Sequence, residues 1–374
     1  TVAAEMTAQE QRISQVEWLH SKGGFFSEKL GFQPPDSDSP AGGIFALQDL
    51  KKGEKVIVIP QNCQFEPWPG KEHSKEEHSI CSTARRLADG YNAGEGVSEF
   101  WPYIKYVFEV FPHEMIPTAW SEEGIELVMN IMGVGGLEPQ EFGKGSYAEQ
   151  CTTNEEDREE ILEAALRIVD ARGWLATLVP VLDMANHANG YMHNMEQAND
   201  SRTHSDIEVV TLRDVKAGEE MFLSYNECHD YTCYGIAHTY TTPFLFADYG
   251  FIERMSGTQR WPFATSEDEE DTLLIELSLA SDQEASGSSD SEDSPLHLKW
   301  LTENPDDEQI EWLQVQLGRL KGIEEWVKYT AAELEEEHEA QVALEFHRSY
   351  VTAMEMAIGW ADGTPPEQLC SVNQ

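Results

Sequence analysis

The sequence predicts an α+β fold in which short strands and longer helices occupy separate stretches of the chain. Two short apolar runs, 43–46 and 55–59, have strand character. A mostly helical stretch follows from 74 to 170, and two long helices are predicted between 306 and 360. The chain has 374 residues, whereas a single core stops growing at roughly 250–300 residues. One large domain and one smaller domain are therefore expected.

The first predicted elements are a helix and two strands. Apolar residues recur at helical spacing between residues 7 and 20, which predicts an N-terminal helix. The strands 43–46 and 55–59 follow, with a turn at Lys51–Glu54 between them.

Strand patterns return after residue 170 and then give way to acidic segments. The three runs predicted as strands are 176–182, 208–212 and 220–224. The segments 267–271 and 286–294 are acidic or Ser-rich, which indicates flexible or surface chain. Between them, the apolar stretch 273–279 predicts a short ordered element. The apolar stripe of the two C-terminal helices is typical of a core or of a partner groove.

The charge of the chain restricts its partners. Acidic residues number 69 against 25 basic ones, which gives a formal net charge of -44. Nucleic acid is not expected as a partner, because phosphate binding needs clustered Lys and Arg. Docking on an anionic membrane surface is disfavoured for the same reason. Two interpretations stay open: a solvated acidic exterior, or attraction of a protein with a basic, Lys-rich surface.

The cysteines and the hydropathy pattern indicate in which compartment the protein folds. The scattered spacing of the cysteines predicts reduced thiols and no disulfide framework. The six positions are Cys63, Cys81, Cys151, Cys228, Cys233 and Cys370. No apolar run approaches the ~18 residues that cross a bilayer. The chain begins at Thr1 and not at a methionine, so we expect processing or trimming, with any targeting peptide already removed.

The pair Asn186–His187 is the first motif that suggests a binding site. It follows the run 178–182, which has the pattern of a buried strand. Polar groups at the end of a buried strand need hydrogen-bond partners. On its own the pair is most simply a turn that closes the strand. Alternatively, it presents amide and backbone groups to a polar ligand.

A second motif runs from Gly218 through a turn into a short apolar strand that ends at Tyr225. Farther on, Tyr249-Gly250-Phe251 places another tyrosine beside a glycine and an apolar ring. Arg172 alone would be a surface cation, and a lone tyrosine at a strand end is usually half-buried without a special role. The order of these pieces along the chain carries more information than any one of them.

In this order the motifs resemble those of SET-domain protein methyltransferases, in the group that includes Rubisco large-subunit lysine methyltransferase and actin-histidine methyltransferase. The ordered set is specific, although no single piece is. The matching pieces are Gly43-Ile44-Phe45-Ala46, Gly53-Glu54, Ile59-Pro60, Ser98-x-x-Trp101-Pro102-Tyr103, Ala171-Arg172, Pro180-x-x-Asp183-Met184-x-Asn186-His187, Gly218-Glu219-x-x-x-x-Ser224-Tyr225 and Tyr249-Gly250-Phe251.

The resemblance implies a SET-domain fold of short β-sheets with a pseudoknot, in which the segment carrying Tyr225 passes the strand that ends in Asn186–His187. It also implies a helical insertion and a C-terminal helical domain. The four expected segments are 1–63 with the N-terminal helix and first SET portion, 64–170 with the helical insertion, 171–257 with the second SET portion and the cofactor site, and 258–374 with the C-terminal helical, substrate-binding-like domain.

S-adenosylmethionine is the cofactor that the resemblance implies. Gly42 and Gly43 would lie in the loop that approaches this cofactor by its backbone, since a residue without Cβ allows such an approach. Asp183, Asn186 and His187 would line the wall that holds it.

The resemblance also places residues around the reaction. Arg172 would face the carboxylate of the cofactor, where a guanidinium fork fits. Tyr249 and Phe251 would pack around the adenine and the methyl-transfer channel, and Tyr225 would be the catalytic tyrosine. The implied activity is N-methylation of a protein lysine, with histidine as the less favoured target. The Rubisco-type relatives imply a chloroplast location, and a cytoplasmic or nuclear one is the alternative.

A SET-like protein without turnover, kept as a binding or structural subunit of a larger assembly, is the competing hypothesis. Three departures from the family pattern motivate it. Pro40 and Ala41 stand where an acidic residue and a glycine are common, and Asn226 follows Tyr225. In addition, 24 positions (249 − 225) separate Tyr225 from Tyr249, a longer interval than the family usually has.

The interval after Tyr225 contains residue types that bind zinc, namely Cys228, His229, Cys233 and His238. Their spacing is loose for a tetrahedral site. A polar surface loop without metal is therefore predicted.

Overall fold

The computed structural model of the protein describes two compact units, each with its own core. The described residues are 6–33, 42–67, 76–133, 151, 160–174, 176–198, 205–225, 228–229, 232–233, 241–253, 258–265, 272–279 and 296–364. The first unit comprises 1–116, 144–187 and 193–224, and the second comprises 117–143, 188–192 and 225–374. The division into four functional segments stays a prediction.

Helices and short strands are both well represented among the described residues, and the predicted α+β class is confirmed. The helices are α1 (Ala8–Ser21), α2 (Glu76–Ala93), α3 (Trp101–Glu109), α4 (Glu122–Met132), α5 (Glu160–Arg172), α6 (Thr242–Tyr249), α7 (Asp307–Gly322), α8 (Glu324–Glu333) and α9 (Glu337–Ala361). The strands are β1 (Phe25–Phe26), β2 (Leu30–Gln33), β3 (Gly43–Ala46), β4 (Lys55–Ile59), β5 (Gly173–Trp174), β6 (Thr177–Leu178), β7 (Asn186–His187), β8 (Met195–Gln197), β9 (Ile207–Thr211), β10 (Glu220–Leu223), β11 (Cys228–His229), β12 (Thr232–Cys233), β13 (Thr258–Ala264), β14 (Thr272–Leu279) and β15 (Leu296–Trp300).

Two four-stranded sheets organise the first unit. Their strand orders are β1-β4-β9-β8 and β2-β3-β10-β7. Every pairing in them is antiparallel except β10 with β7, which run parallel. Buried and half-buried residues alternate along β9, as expected for a strand with one face on the core. The sheets thereby bring β3, β7 and β10, which are distant in sequence, to one place.

The second unit is built on the three-stranded sheet β13-β14-β15 and on helices α4 and α6 to α9. Aromatic rings fill its core. Trp261 stacks on Tyr350 with a centroid distance of 5.4 Å, and Phe346 lies 4.9 Å from Phe246. The ordered element predicted at 273–279 is strand β14, and that prediction is confirmed.

Several local predictions hold and two need correction. Strands β3 and β4 have the predicted bounds, and helix α1 begins with a capping box between Thr7 and Glu10. The run 176–182, however, contains only the two-residue strand β6. Pro180 has no N–H to donate to a ladder, and Val181 turns the chain with φ 72°.

The second correction concerns the C-terminal helices, where three helices replace the two predicted. Ile323, with φ -94° and ψ 1°, separates α7 from α8. The apolar spacing continues across this break, so the periodicity could not reveal it. The acidic segments 267–271 and 286–294 lie outside the described residues.

The prediction of reduced thiols is wrong for two of the cysteines. Cys81 on α2 and Cys151 form a disulfide across a sequence separation of 70 residues, with their Cα atoms 5.4 Å apart. The interval between them has no spacing signature, because the two sulfurs meet only through the tertiary fold. Among the described residues, Cys63 is a free, buried cysteine.

Helix α4 is held at both ends by side chains from the C-terminal helices. At its N-terminus, the Glu339 carboxylate accepts hydrogen bonds from the backbone N–H (2.8 Å) and the hydroxyl (2.5 Å) of Ser121. At its C-terminus, the Arg319 guanidinium donates to the carbonyl oxygens of Asn130, Ile131 and Met132. An acid at the N-terminus and a cation at the C-terminus both match the helix dipole.

We expect Arg319→Met to lower the free energy of unfolding by about 1–3 kcal/mol, because three carbonyl groups at the end of α4 lose a charged donor. Urea unfolding monitored by circular dichroism measures this loss. Arg348→Met is the matched control, since Arg348 lies exposed on α9. Equal stabilities of the two variants would show that Arg319 does not cap the helix.

Candidate functional site

Asn186 connects three segments of the first unit. It begins β7, which pairs in parallel with β10 so that Phe222 lies opposite Asn186 and Leu223 opposite His187. The side-chain Nδ2 of Asn186 donates to the backbone oxygen of Gly42 (2.8 Å) and to Oε1 of Glu220 (2.6 Å). The predicted motif therefore has a structural role that links the residues before β3, the strand β10 and the strand β7.

Gly43 has no room for a side chain. A Cβ at this position would lie 2.3 Å from Oε1 of Glu220 and 2.9 Å from Nδ2 of Asn186. Glycine is therefore required here by contacts within the chain. The predicted approach of a cofactor to this backbone stays a prediction.

Gly42 is required for a second reason. Its φ of +73° favours glycine, and a Cβ there would lie 2.6 Å from Nη2 of Arg12. Arg12 projects from α1, is fully buried, and lies 5.9 Å from the centre of the Tyr106 ring. The glycine turn is thus packed directly on a buried guanidinium. Pro40 and Ala41, the preceding departures from the family pattern, lie outside the described residues.

Arg172 and Asp183 form a buried ion pair. Nε of Arg172 lies 3.0 Å from Oδ2 of Asp183, and their side chains are only 5% and 6% exposed. The guanidinium packs over the rings of Phe111 and Tyr106, at 4.5 Å and 5.6 Å from their centres. Burial alone would lower the pKa of Arg172, but the Asp183 carboxylate outweighs it and raises that pKa. Arg172 therefore stays charged, and its partner in the structure is Asp183.

Tyr103 completes this group. Its hydroxyl donates to Oδ2 of Asp183 at 2.6 Å. Burial, and then the negative charge of Asp183, raise the pKa of Tyr103 well above its ordinary value. The hydroxyl thus remains a donor at physiological pH. Two strong donors consequently converge on one oxygen of the Asp183 carboxylate.

The other carboxylate oxygen, Oδ1 of Asp183, is buried and has no hydrogen-bond partner among the residues that the structure describes. A buried acceptor of this kind costs roughly 1–3 kcal/mol when it is left unsatisfied, and more when it is charged. An N–H, O–H or ammonium donor is the chemistry that would satisfy it.

Backbone strain lies close to Asp183. Val181 has φ 72° and ψ -49° and immediately precedes the 3-10 helix Leu182–Met184. Such a conformation is unusual for a β-branched residue, and strained residues tend to cluster at functional sites. The strain is set by the surrounding packing, since Val181 is fully buried.

The second unit brings the three predicted aromatic residues together. The rings of Tyr225 and Tyr249 have centres 4.9 Å apart, and Phe251 lies 6.4 Å from Tyr225 and 5.9 Å from Tyr249. Helix α6 ends at Tyr249 and is capped by Gly250, whose φ of 75° turns the chain so that Phe251 lies near Tyr249. The long interval after Tyr225 therefore does not separate the two tyrosines.

Three residues that contact predicted site residues of the first unit were not themselves predicted as site residues. Glu220 binds Asn186, Tyr103 binds Asp183, and Arg12 supports Gly42. Tyr103 could have been found from the sequence, because it belongs to the motif Ser98-x-x-Trp101-Pro102-Tyr103 that resembles the family. Glu220 and Arg12 reach their partners across long sequence distances, and no local pattern marks them.

Two absences apply to the described part of the chain. No group of three or more His, Cys, Asp or Glu side chains is placed to hold a metal ion there. The same residues contain no helix with the length and hydropathy needed to cross a bilayer. The Cys and His side chains in the interval after Tyr225 lie outside the described set, so the prediction of a loop without metal stays a prediction. Cys228 and Cys233 face each other in the backbone register of β11 and β12.

Residues 42–226 match the family model described as "SET domain". No sequence among the curated proteins matches the chain. One similar solved structure is the SET domain of LSMT bound to lysine and AdoHcy, with 14% identity, a TM-score of 0.51, and coverage of 94% of this chain and 91% of that chain. Another is Rubisco LSMT bound to AdoMet, with 14% identity, a TM-score of 0.50, and coverage of 98% and 94%. At this identity the likeness is one of fold.

Proposed function

Because residues 42–226 of this chain form a SET domain, we propose that the protein is an S-adenosylmethionine-dependent protein-lysine N-methyltransferase. The predicted SET domain is confirmed by that match, and the predicted fold is confirmed by the similar solved structures. The observation that carries the proposal is the parallel pairing of β7 with β10 inside the matched domain. It sets Asn186–His187 beside the strand that leads to Tyr225.

S-adenosylmethionine is the expected cofactor. The solved LSMT structures that share the fold were determined with AdoMet, AdoHcy or sinefungin. In this chain, the buried Oδ1 of Asp183 is an acceptor suited to an ammonium or hydroxyl group of such a ligand. We propose that Tyr249 and Phe251 pack around the adenine of this cofactor. The other proposed cofactor-binding residues are Gly42, Gly43, Arg172, Asp183, Asn186 and His187.

The chemistry requires a neutral amine nucleophile, and the cofactor supplies a sulfonium methyl group. A free lysine has a pKa of ~10.4 and is protonated at neutral pH. An aromatic environment such as that of Tyr225, Tyr249 and Phe251 lowers the pKa of a lysine by desolvation. The hydroxyl of Tyr225 then orients the amine lone pair. The contribution of these side chains is mostly positioning.

The target is proposed to be a protein with a basic surface, since the net charge of -44 favours such a partner. Lysine is preferred over histidine because similar solved LSMT structures contain bound lysine or monomethyllysine. A chloroplast location is part of the proposal, and microscopy of a fluorescent fusion to the full-length protein tests it.

Calorimetric titration with S-adenosylmethionine tests the proposal. We expect one binding site per chain, followed by transfer of labelled methyl groups to a Lys-rich protein. An absence of binding at millimolar cofactor would contradict the enzyme and favour the SET-like structural subunit. Binding without transfer to any lysine or histidine would contradict the methyltransferase function alone.

We expect Tyr225→Phe to reduce kcat by about 100-fold or more, with cofactor affinity nearly unchanged, because one oriented hydroxyl is removed from the reacting centre. Methyl transfer and calorimetry on the same preparations measure the two quantities. Tyr329→Phe is the matched control, since Tyr329 is 65% exposed on α8. Full activity of Tyr225→Phe would place the reacting centre elsewhere.

A further inference from the structure

Glu253 is a buried carboxylate of the second unit to which the proposed reaction gives no role. Its residue is only 7% exposed. The side chain accepts a hydrogen bond from Nδ2 of Asn189 at 2.9 Å and another from the hydroxyl of Thr242. Its backbone oxygen accepts from Nε2 of Gln259. Four segments of the chain therefore meet at one residue.

The hydrogen bonds around Glu253 have a defined direction. The backbone N–H of Arg260 donates to the Thr242 hydroxyl at 2.9 Å, and that hydroxyl donates in turn to the Glu253 carboxylate. Gln259 is fixed at its other end, because Nε1 of Trp261 donates to its Oε1 at 3.0 Å. A fully bonded network of this kind holds its members in one geometry.

The segments joined by Glu253 are those that carry the aromatic group. Thr242 is the first residue of α6, which ends at Tyr249, and Glu253 lies two residues after Phe251. The Thr242–Glu253 bond therefore closes the segment 242–253 on itself. Asn189 adds the stretch that follows Asn186–His187 in the chain.

We propose that Glu253 is a positioning residue that fixes the rings of Tyr249 and Phe251 against Tyr225, by tying the start of α6 and the stretch around Asn189 to the end of the segment. The proposal rests on the proposed function for its catalytic meaning. The positioning of the rings by Glu253 does not depend on the proposed function, because the ring positions can be measured without an activity assay.

A carboxylate suits this place better than an amide. Thr242 and Asn189 both act as donors, so Glu253 must supply two acceptors, and a glutamate carboxylate has two acceptor oxygens. Glutamine has the same shape but offers one carbonyl oxygen. Glu253→Ala is therefore expected to displace the rings of Tyr249 and Phe251 most, and Glu253→Gln to displace them to a smaller extent.

The experiment uses the full chain with 4-fluorophenylalanine at position 251, observed by fluorine NMR. We expect Glu253→Ala to shift and broaden the Phe251 resonance, with Glu253→Gln in between. A second label at Phe263, which stacks on Tyr350 in the core, should keep its resonance. Calorimetry with S-adenosylhomocysteine should show affinity reduced by roughly 10-fold in Glu253→Ala, as for supporting residues around other sites.

Glu276→Gln is the matched control, because Glu276 is equally buried at 7% exposure and binds Arg260 in the neighbouring sheet. It should lower stability without moving the Phe251 resonance. If Glu253→Ala leaves the Phe251 resonance unchanged, or if Glu276→Gln moves it equally, the proposal is overturned. If the wild-type protein does not bind S-adenosylhomocysteine, the proposed function fails while the fluorine spectra still decide the role of Glu253.

Discussion

We expect Asp183→Ala to lower the free energy of unfolding by about 3–5 kcal/mol, the typical loss when one partner of a buried ion pair is removed. The substitution leaves the Arg172 guanidinium buried at 5% exposure without its carboxylate. It also removes the acceptor of the Tyr103 hydroxyl. Urea unfolding monitored by circular dichroism measures the change, and calorimetry should show the loss of cofactor binding in the same variant.

Two comparisons isolate the buried pair as the cause. Lys51 and Asp214 form an ion pair at 2.6 Å with side chains that are 74% and 54% exposed, so Asp214→Ala should change stability far less. A double replacement, Arg172→Met with Asp183→Leu, should be more stable than Asp183→Ala because no unpaired charge remains. Equal losses for Asp214→Ala and Asp183→Ala would contradict the buried role of the pair.

Loss of the Cys81–Cys151 disulfide is expected to lower the free energy of unfolding by roughly 4 kcal/mol, the value that chain entropy gives for a loop of this length. The bridge closes 70 residues of chain, so its removal enlarges the unfolded ensemble. Thermal unfolding with and without dithiothreitol measures the effect, together with the Cys81→Ser variant.

Cys81→Ser provides the control for the reducing agent, because dithiothreitol should not destabilise this variant further. The free thiol of Cys63 serves as a reference for whether the protein stays folded. Burial raises the pKa of its thiol to about 11, so at pH 8 the reactive thiolate is scarce and native protein should not be alkylated there. An unchanged melting temperature of the wild type after complete reduction would contradict the stabilising role of the bridge.

Local pattern was sufficient where an element is determined by its own residues. The strands β3 and β4 lie at the bounds that their short apolar runs predict, and helix α1 matches the predicted interval 7–20 to within one residue at each end. The strand assigned to 176–182 failed because the positive φ of Val181 is imposed by packing around it. Local propensity cannot register such a constraint.

The sequence predicted which residues belong to the candidate site better than it predicted which of them contact each other. Tyr225, Tyr249 and Phe251 come together despite the interval of 24 positions. The partner of Arg172 could not be chosen from sequence, since a guanidinium fits a ligand carboxylate and the Asp183 side chain equally well. The pairing of Cys81 with Cys151 likewise depends on the whole first unit.

The clamped helix α4 has a consequence for the synthesis of the protein. Ser121 and its partner Glu339 are 218 residues apart. At translation rates of about 5–20 residues per second, a ribosome needs roughly 10–45 s to make those 218 residues. For most of that time α4 lacks both of its end partners, because Arg319 is synthesised only shortly before Glu339. The apolar face that it later buries is exposed to chaperones in the meantime, so the second unit is completed only after translation has passed its last helices.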